Sequence, residues 1–82
     1  MKEKEDYKKI GEHAIKFFKN YTEETSVEVK VLDDGIEIWP TDKSNGSVAY
    51  CVREAVDFSR AYEMNVYATY LPEEKKNIIR MY

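Results

Sequence analysis

Cysteine, proline and glycine, the residues that cross-link a chain or interrupt its helices and strands, are scarce here. One cysteine, two prolines and three glycines occur among 82 residues. A lone Cys51 cannot form a disulfide within the chain, so a reducing compartment is predicted and we expect a cytoplasmic location. Long apolar runs are missing and charged residues follow Met1, so neither a secretory signal nor a membrane-spanning helix is expected. A domain of this size without disulfides depends on one thin hydrophobic core.

An excess of positive charge is also absent, because 16 acidic residues outnumber 13 lysines and arginines and the formal net charge is −3 at pH 7. That balance disfavours general binding to a phosphate backbone, which needs a concentrated basic surface. The single histidine, His13, is expected to be a solvated surface residue, and Cys51 a small buried hydrophobe. The sequence has no His/Cys cluster with metal-ligand spacing. No catalytic, cofactor-binding or metal-binding residues are therefore predicted, and the protein is not expected to be an enzyme.

What the sequence does contain is a repeated helical octet. Residues 14–21 (AIKFFKNY) and 55–62 (AVDFSRAY) share Ala, Phe and Tyr at the same positions, and each octet precedes sequence rich in β-formers. We predict one domain over residues 1–82, built from two α-β-β repeats at about 5–40 and 47–82. Three identities in eight residues also arise by chance between amphipathic helices, so the duplication is a hypothesis.

Two amphipathic helices are predicted, at residues 5–21 and 48–63, the second capped by Ser47. Gly11 interrupts the first helix and indicates that another element packs close to it. The polar loop at 41–47 is interpreted as a capped connection, with anion binding at the helix start as the weaker alternative. The apolar stripes are Tyr7, Ile10, Ala14, Phe17, Phe18 and Tyr21 on the first helix and Val48, Cys51, Val52, Ala55, Phe58 and Tyr62 on the second.

A β-hairpin is predicted after the first helix, because residues 27–31 and 36–38 alternate apolar and polar side chains. A two- or four-residue loop keeps the apolar residues on one face and sets Lys30 opposite Glu37. With the four-residue loop, Gly35 is expected in the left-handed conformation.

A second hairpin is predicted from residues 66–71 and 78–82, with a loop at 72–77. The alternative is a terminal helix that begins at Pro72, since proline followed by glutamates is also a helix-start signal. The repeat favours the strand.

The element order α-β-β-α-β-β predicts an α+β two-layer sandwich, with a four-stranded, mostly antiparallel sheet and both helices on one face. A ferredoxin-like topology whose first strand has moved to the end of the chain has this order, an analogy that carries no function.

Period-two alternation divides the strands into two faces. The residues predicted to face the helices are Val27, Val29, Val31, Ile36, Ile38, Val66, Ala68, Tyr70, Ile79 and Met81. The residues predicted to form a partner-binding surface on the opposite face are Lys30, Trp39, Tyr67, Ile78, Arg80 and Tyr82. Tryptophan, tyrosine and arginine are enriched at protein interfaces.

Three interpretations of that aromatic face are open. The rings decorate a solvated sheet, they contact a protein, or they stack on single-stranded nucleic acid. Glu28 and Glu37 on the same face disfavour the third. The function predicted from sequence is therefore a small binding or regulatory module that contacts a protein partner or a second copy of itself. The alternatives are a small acidic inhibitor or immunity-type protein and a single-stranded nucleic-acid binder.

Overall fold

Two helices and four strands follow one another in the predicted order. The structure, a computed structural model, describes residues 2–21, 27–42 and 44–82, with the backbone alone at 19–21. The elements are α1 (Lys4–Tyr21), β1 (Val27–Leu32), β2 (Gly35–Pro40), α2 (Asn45–Ala61), β3 (Val66–Leu71) and β4 (Lys76–Met81). The predicted fold class is confirmed, and so is the second hairpin. The terminal-helix alternative is wrong, because residues 72–75 form the turn between β3 and β4.

The strands form one sheet in the order β1-β2-β4-β3, and every neighbouring pair is antiparallel. Strands β2 and β3 therefore run parallel to each other on either side of β4, and α2 connects them. This split β-α-β arrangement is the feature shared with the permuted ferredoxin-like topology. The order also makes β1 and β3 the two edges of the sheet, which the sequence alone did not reveal.

The core lies between the helices and the two central strands. Ile36 pairs with Met81 and Ile38 with Ile79, and all four side chains are fully buried. The helices cover them with a set of buried residues that includes Ile10, Ala14, Phe18, Cys51, Ala55 and Phe58. The predicted alternation is confirmed in these strands, because each apolar side chain on the helix side is removed from water.

Helix α1 approaches β1 closely at Gly11, as the sequence predicted. A Cβ atom built on Gly11 would meet both methyl groups of Val31, with Cγ1 only 2.9 Å away. A larger residue at position 11 would push the helix from the sheet, so the glycine's weak helix propensity is offset by this contact.

The first hairpin has the predicted register, with Lys30 opposite Glu37 and a two-residue turn at Asp33 and Asp34. Of the two predicted loops, the two-residue loop is therefore the correct one, and the left-handed Gly35 expected with the four-residue loop is wrong, since Gly35 has no positive φ. Gly35 is instead needed because it has no side chain. A Cβ atom there would lie 2.8 Å from the carbonyl oxygen of Met81 and 3.5 Å from the guanidinium Nη2 of Arg80.

Helix α2 begins three residues earlier than predicted, because Ser44 rather than Ser47 is its N-cap. The Ser44 hydroxyl accepts a hydrogen bond from the backbone N–H of Ser47 at 3.2 Å. The Asp42 carboxylate accepts from the Ser44 N–H at 3.1 Å and from the Ser47 hydroxyl at 2.8 Å. A carboxylate of the chain itself thus already serves this helix terminus, so the geometry does not support the anion-binding alternative.

The hydrogen bonds to Asp42 predict a dependence of stability on acid. They lower the pKa of Asp42 below its ordinary 3.8, with the bond from Ser47 as the largest cause. The stabilisation is therefore present above pH 3.8 and is lost as the pH falls through the lowered pKa. We expect the Asp42→Asn variant to unfold at lower urea than the wild type at pH 6, and the difference between the two transitions to shrink as the pH falls below 3.8. A constant difference between them across that range would contradict this.

The predicted repeat coincides with the geometry of the sheet. Helices α1 and α2 begin at residues 4 and 45, and β2 and β4 at residues 35 and 76, so a shift of 41 relates both pairs. The same shift places Ile38 on Ile79, which are paired, and Phe17 on Phe58, whose ring centroids lie 5.3 Å apart. The outer strands are related by a shift of 39, because the second turn has four residues and the first has two. The duplication itself remains a prediction.

Candidate functional site

The sheet surface opposite the helices, called the far face, carries the residues that the sequence singled out. Lys30, Glu37, Arg80 and Tyr67 are successive partners across all four strands and form its middle row. On one side of this row are two further cross-strand pairs. Glu28 of β1 pairs with Trp39 of β2, and Thr69 of β3 pairs with Ile78 of β4. On the other side lie Gly35 and Tyr82.

Arg80 is held by its own chain. Its guanidinium lies 2.8 Å from Asp34 Oδ1 and 3.4 Å from Glu37 Oε2, and the side chain is only 19% exposed. Burial would lower the pKa of Arg80, but the hydrogen bond and charge of Asp34 outweigh it and raise that pKa. Gly35 leaves the space in which the guanidinium lies. Arg80 thus connects β4 to the first hairpin, and its charge, predicted to serve a polar rim contact, is already paired within the chain.

Trp39 and Ile78 are less accessible than predicted. The Lys76 ammonium lies 3.8 Å from the centroid of the Trp39 ring, a cation–π contact, and 3.2 Å from Glu74 Oε2. Ile78 was expected on the open surface but is only 5% exposed. Continuing the β2–β4 register by one residue puts Trp39 beside it, and Thr69 lies opposite on the other side. Trp39 and Ile78 therefore form a small covered cluster of their own.

Tyr67 and Tyr82 are the aromatic residues that remain accessible on the far face. They are 46% and 43% exposed, and their rings pack edge to face with centroids 5.7 Å apart. This contact restrains the orientation of both rings. Lys30 is exposed as well, on the opposite edge strand.

Strand β3 is open to solvent in three directions. Tyr67 and Thr69 are exposed on the far face, and Ala68 and Tyr70 on the helix side, where Tyr70 is 53% exposed. Ala68 and Tyr70 face the helices in register, as predicted, but α2 does not cover them. No charged residue occurs in Val66–Leu71, whereas the other edge strand carries Glu28 and Lys30.

Alternate residues of β3 supply the backbone N–H and C=O groups on its outer edge. Asn65 and Tyr82 exchange both backbone hydrogen bonds, at 2.7 and 3.0 Å. Because hydrogen-bonded pairs alternate along an antiparallel ladder, residues 67, 69 and 71 also bond to β4. The N–H and C=O groups of Val66, Ala68 and Tyr70 therefore point away from the sheet.

The helix layer contains a cleft of about 340 Å³ that the sequence did not predict. Nδ1 of His13 and the hydroxyl of Tyr62 share a hydrogen bond of 2.7 Å across it, joining α1 to the end of α2. His13 is exposed as expected, but it connects the helices rather than only facing water. The residues that line the cleft are His13, Phe17, Glu54, Asp57, Phe58, Ala61 and Tyr62.

Cys51, a residue of α2 that belongs to the core cluster, is fully buried, which confirms the sequence interpretation. Burial, with a smaller contribution from the charge of Glu54, raises the pKa of Cys51 to about 11. The thiolate, which is the reactive form, is therefore disfavoured in the folded protein.

Neither a metal centre nor a membrane span emerges from residues 2–21, 27–42 and 44–82. No three of their His, Cys, Asp and Glu side chains are grouped so that they could hold a metal ion. Neither helix of this part of the chain has the length and apolar character needed to cross a bilayer. Comparison of the chain with protein-family models, curated proteins and solved structures finds no match.

Proposed function

We propose that this protein is a small protein-binding module that accepts an extended segment of a partner along the β3 margin, defined as β3 together with Tyr82. The observation that carries the proposal is the exposure of this strand on both faces and along its backbone edge. Partners that add a strand to a sheet gain affinity from backbone hydrogen bonds and specificity from alternate side chains. The sequence predicted a partner contact across the far face, and we now propose that the contact lies at the β3 side of that face.

Tyr67 and Tyr82 provide the side-chain part of this contact. An exposed tyrosine offers a large apolar ring with a polar end and loses little conformational freedom on binding. Their edge-to-face contact already orders both rings, which lowers the entropy cost of binding further. Trp39, Ile78 and Arg80 support the sheet beneath and beside them rather than contacting the partner.

The nucleic-acid alternative is not favoured by the charges of the far face. Arg80 is paired with Asp34 and Glu37, and Lys76 with Glu74, which leaves Lys30, opposite Glu37, as the exposed cation among the described residues of this face. Binding to phosphates needs cations whose counterions can be released. The acidic-inhibitor alternative uses a protein contact too and differs in the partner. The lone buried thiol accords with a reducing compartment, and we propose the cytoplasm.

A photo-crosslinking experiment in cells that express the protein tests the proposal. A benzophenone amino acid placed at position 67 is expected to give covalent adducts with a protein. The same group at position 9, an exposed site on α1, is expected to give none. Ala68→Pro should abolish the adducts, because proline removes the outward N–H of β3 while its fold-side bonds stay intact. Adducts that persist in Ala68→Pro, or equal yields from positions 67 and 9, would refute the β3 contact.

A further inference from the structure

We infer that the partner strand is β3 of a second copy, paired antiparallel so that two four-stranded sheets become one eight-stranded sheet. This inference rests on the proposed function and specifies its partner. The two copies are related by a two-fold axis through Ala68, perpendicular to the sheet. Each chain presents the same surface to the other, as in most symmetric dimers.

The backbone of β3 matches itself in one register. Only Val66, Ala68 and Tyr70 direct their N–H and C=O groups outward, and they are spaced two residues apart. An antiparallel copy centred on Ala68 sets Ala68 opposite Ala68 and Val66 opposite Tyr70 of the other chain. Each of these pairs exchanges two hydrogen bonds, so every outward group of the strand is used. Other registers with the same parity leave an outward group of Val66 or Tyr70 unpaired.

The side chains fit this register on both faces. On the helix side, Tyr70 of one chain lies opposite the half-buried Val66 of the other and beside Ala68. Tyrosine against a β-branched residue is a favourable cross-strand pair. On the far face, Tyr67 lies opposite Thr69 of the other chain, in line with the Tyr67–Tyr82 pair. The pairing therefore covers the exposed apolar side chains of β3, and Val66–Leu71 brings no charge into the interface.

The helices leave room for a second sheet. Helix α2 packs mainly on the central strands and contacts β3 less, so that Val66 is half-buried while Ala68 and Tyr70 stay exposed. The perpendicular axis keeps the helices of both chains on the same side of the joined sheet. Strand β1 does not offer an equivalent edge, since Glu28 and Lys30 stand in its middle and would face charged copies of themselves or each other.

Solution mass and a charge exchange at position 68 test the inference. By light scattering, we expect the wild type to have twice the 9.7 kDa mass of one chain. The measurement should extend to about 1 mM protein, a concentration at which weak dimers also form. In Ala68→Lys or Ala68→Glu, two like charges face each other across the axis and should weaken the dimer at least tenfold. An equimolar mixture of these two variants should restore it. Lys9→Glu, a charge change at an exposed site on α1, which packs on the opposite edge strand β1, serves as the control and should stay dimeric.

Each outcome separates the inference from the proposed function. A monomeric wild type, or a mixture that stays monomeric while both variants keep the wild-type circular dichroism, overturns the pairing at Ala68. If either variant is unfolded, the test depends on two other measurements. The wild type should have the mass of a dimer, and Ala68→Pro should have the mass of a monomer. Adducts at position 67 with another protein, beside a monomeric wild type, would retain the proposed function and reject the self-pairing. No adducts together with a monomer would reject both.

Discussion

Replacing Gly35 with alanine is expected to destabilise the protein by about 2–3 kcal/mol, a large part of the stability of a domain this small. The new methyl group would lie 2.8 Å from the Met81 carbonyl oxygen, which is backbone and cannot rotate away. The Arg80 guanidinium lies 3.5 Å from that position, an ordinary contact distance, so the Met81 carbonyl is the source of the clash. Strands β2 and β4 would have to separate at Gly35, next to the ion pair between Arg80 and Asp34. Urea denaturation or a fall of roughly 10 °C or more in Tm would measure the effect.

Gly46→Ala is the matched control for this prediction. A Cβ atom at position 46, in the first turn of α2, meets no other atom within 4 Å. Alanine is also the better helix former, so this variant should be neutral or more stable by up to about 1 kcal/mol. If the two alanine variants changed stability equally, crowding at the Met81 carbonyl would not be the cause.

Raising the pH from 9 to 11 is expected to remove about 2 kcal/mol of the stability that Cys51 contributes. In the folded chain, burial first and then the charge of Glu54 raise the pKa of the thiol from 9.0 to about 11. The unfolded chain releases this proton near pH 9, whereas the folded chain retains it. The contribution is thus complete below pH 9 and disappears as the pH rises through 11.

Cys51→Ala isolates this effect from other groups that ionise at high pH, because those groups are common to both proteins. The difference in unfolding free energy between wild type and variant should shrink steadily above pH 9. In parallel, alkylation of the wild-type thiol at pH 8 should become fast only after urea unfolds the chain. A thiol that reacts rapidly in the native protein, or a pH-independent difference, would contradict the burial of Cys51.

The alternation of side chains was enough to predict the two faces of the sheet, because strand periodicity and burial agree in β2 and β4. It was not enough to predict accessibility. Ile78 has the parity of the far face yet is buried, since Trp39 and Thr69 flank it on neighbouring strands. Those neighbours depend on strand order, which is set by tertiary packing and not by local sequence. Tyr70 shows the converse, because it faces the helix side but lies on an edge that α2 does not cover.

Two local features were missed for a different reason. Ser44 and Ser47 are both good caps, and the choice between them is decided by Asp42, whose carboxylate bonds to both residues. Gly35 was predicted to be a left-handed turn residue, whereas it is the first residue of β2, where a side chain would clash. The close carbonyl of Met81 comes from a strand more than 40 residues away in sequence, and no local pattern announces it.

The charges in β1 have a consequence for the size of any assembly. A sheet joined through β3 would end on both sides in β1, where Glu28 and Lys30 interrupt the run of aliphatic residues. Charged side chains on terminal strands hinder further strand addition and protect natural sheets from growing into fibres. Growth would therefore stop at two chains, because β3 of each chain would already be paired and only the charged β1 strands would be left at the edges.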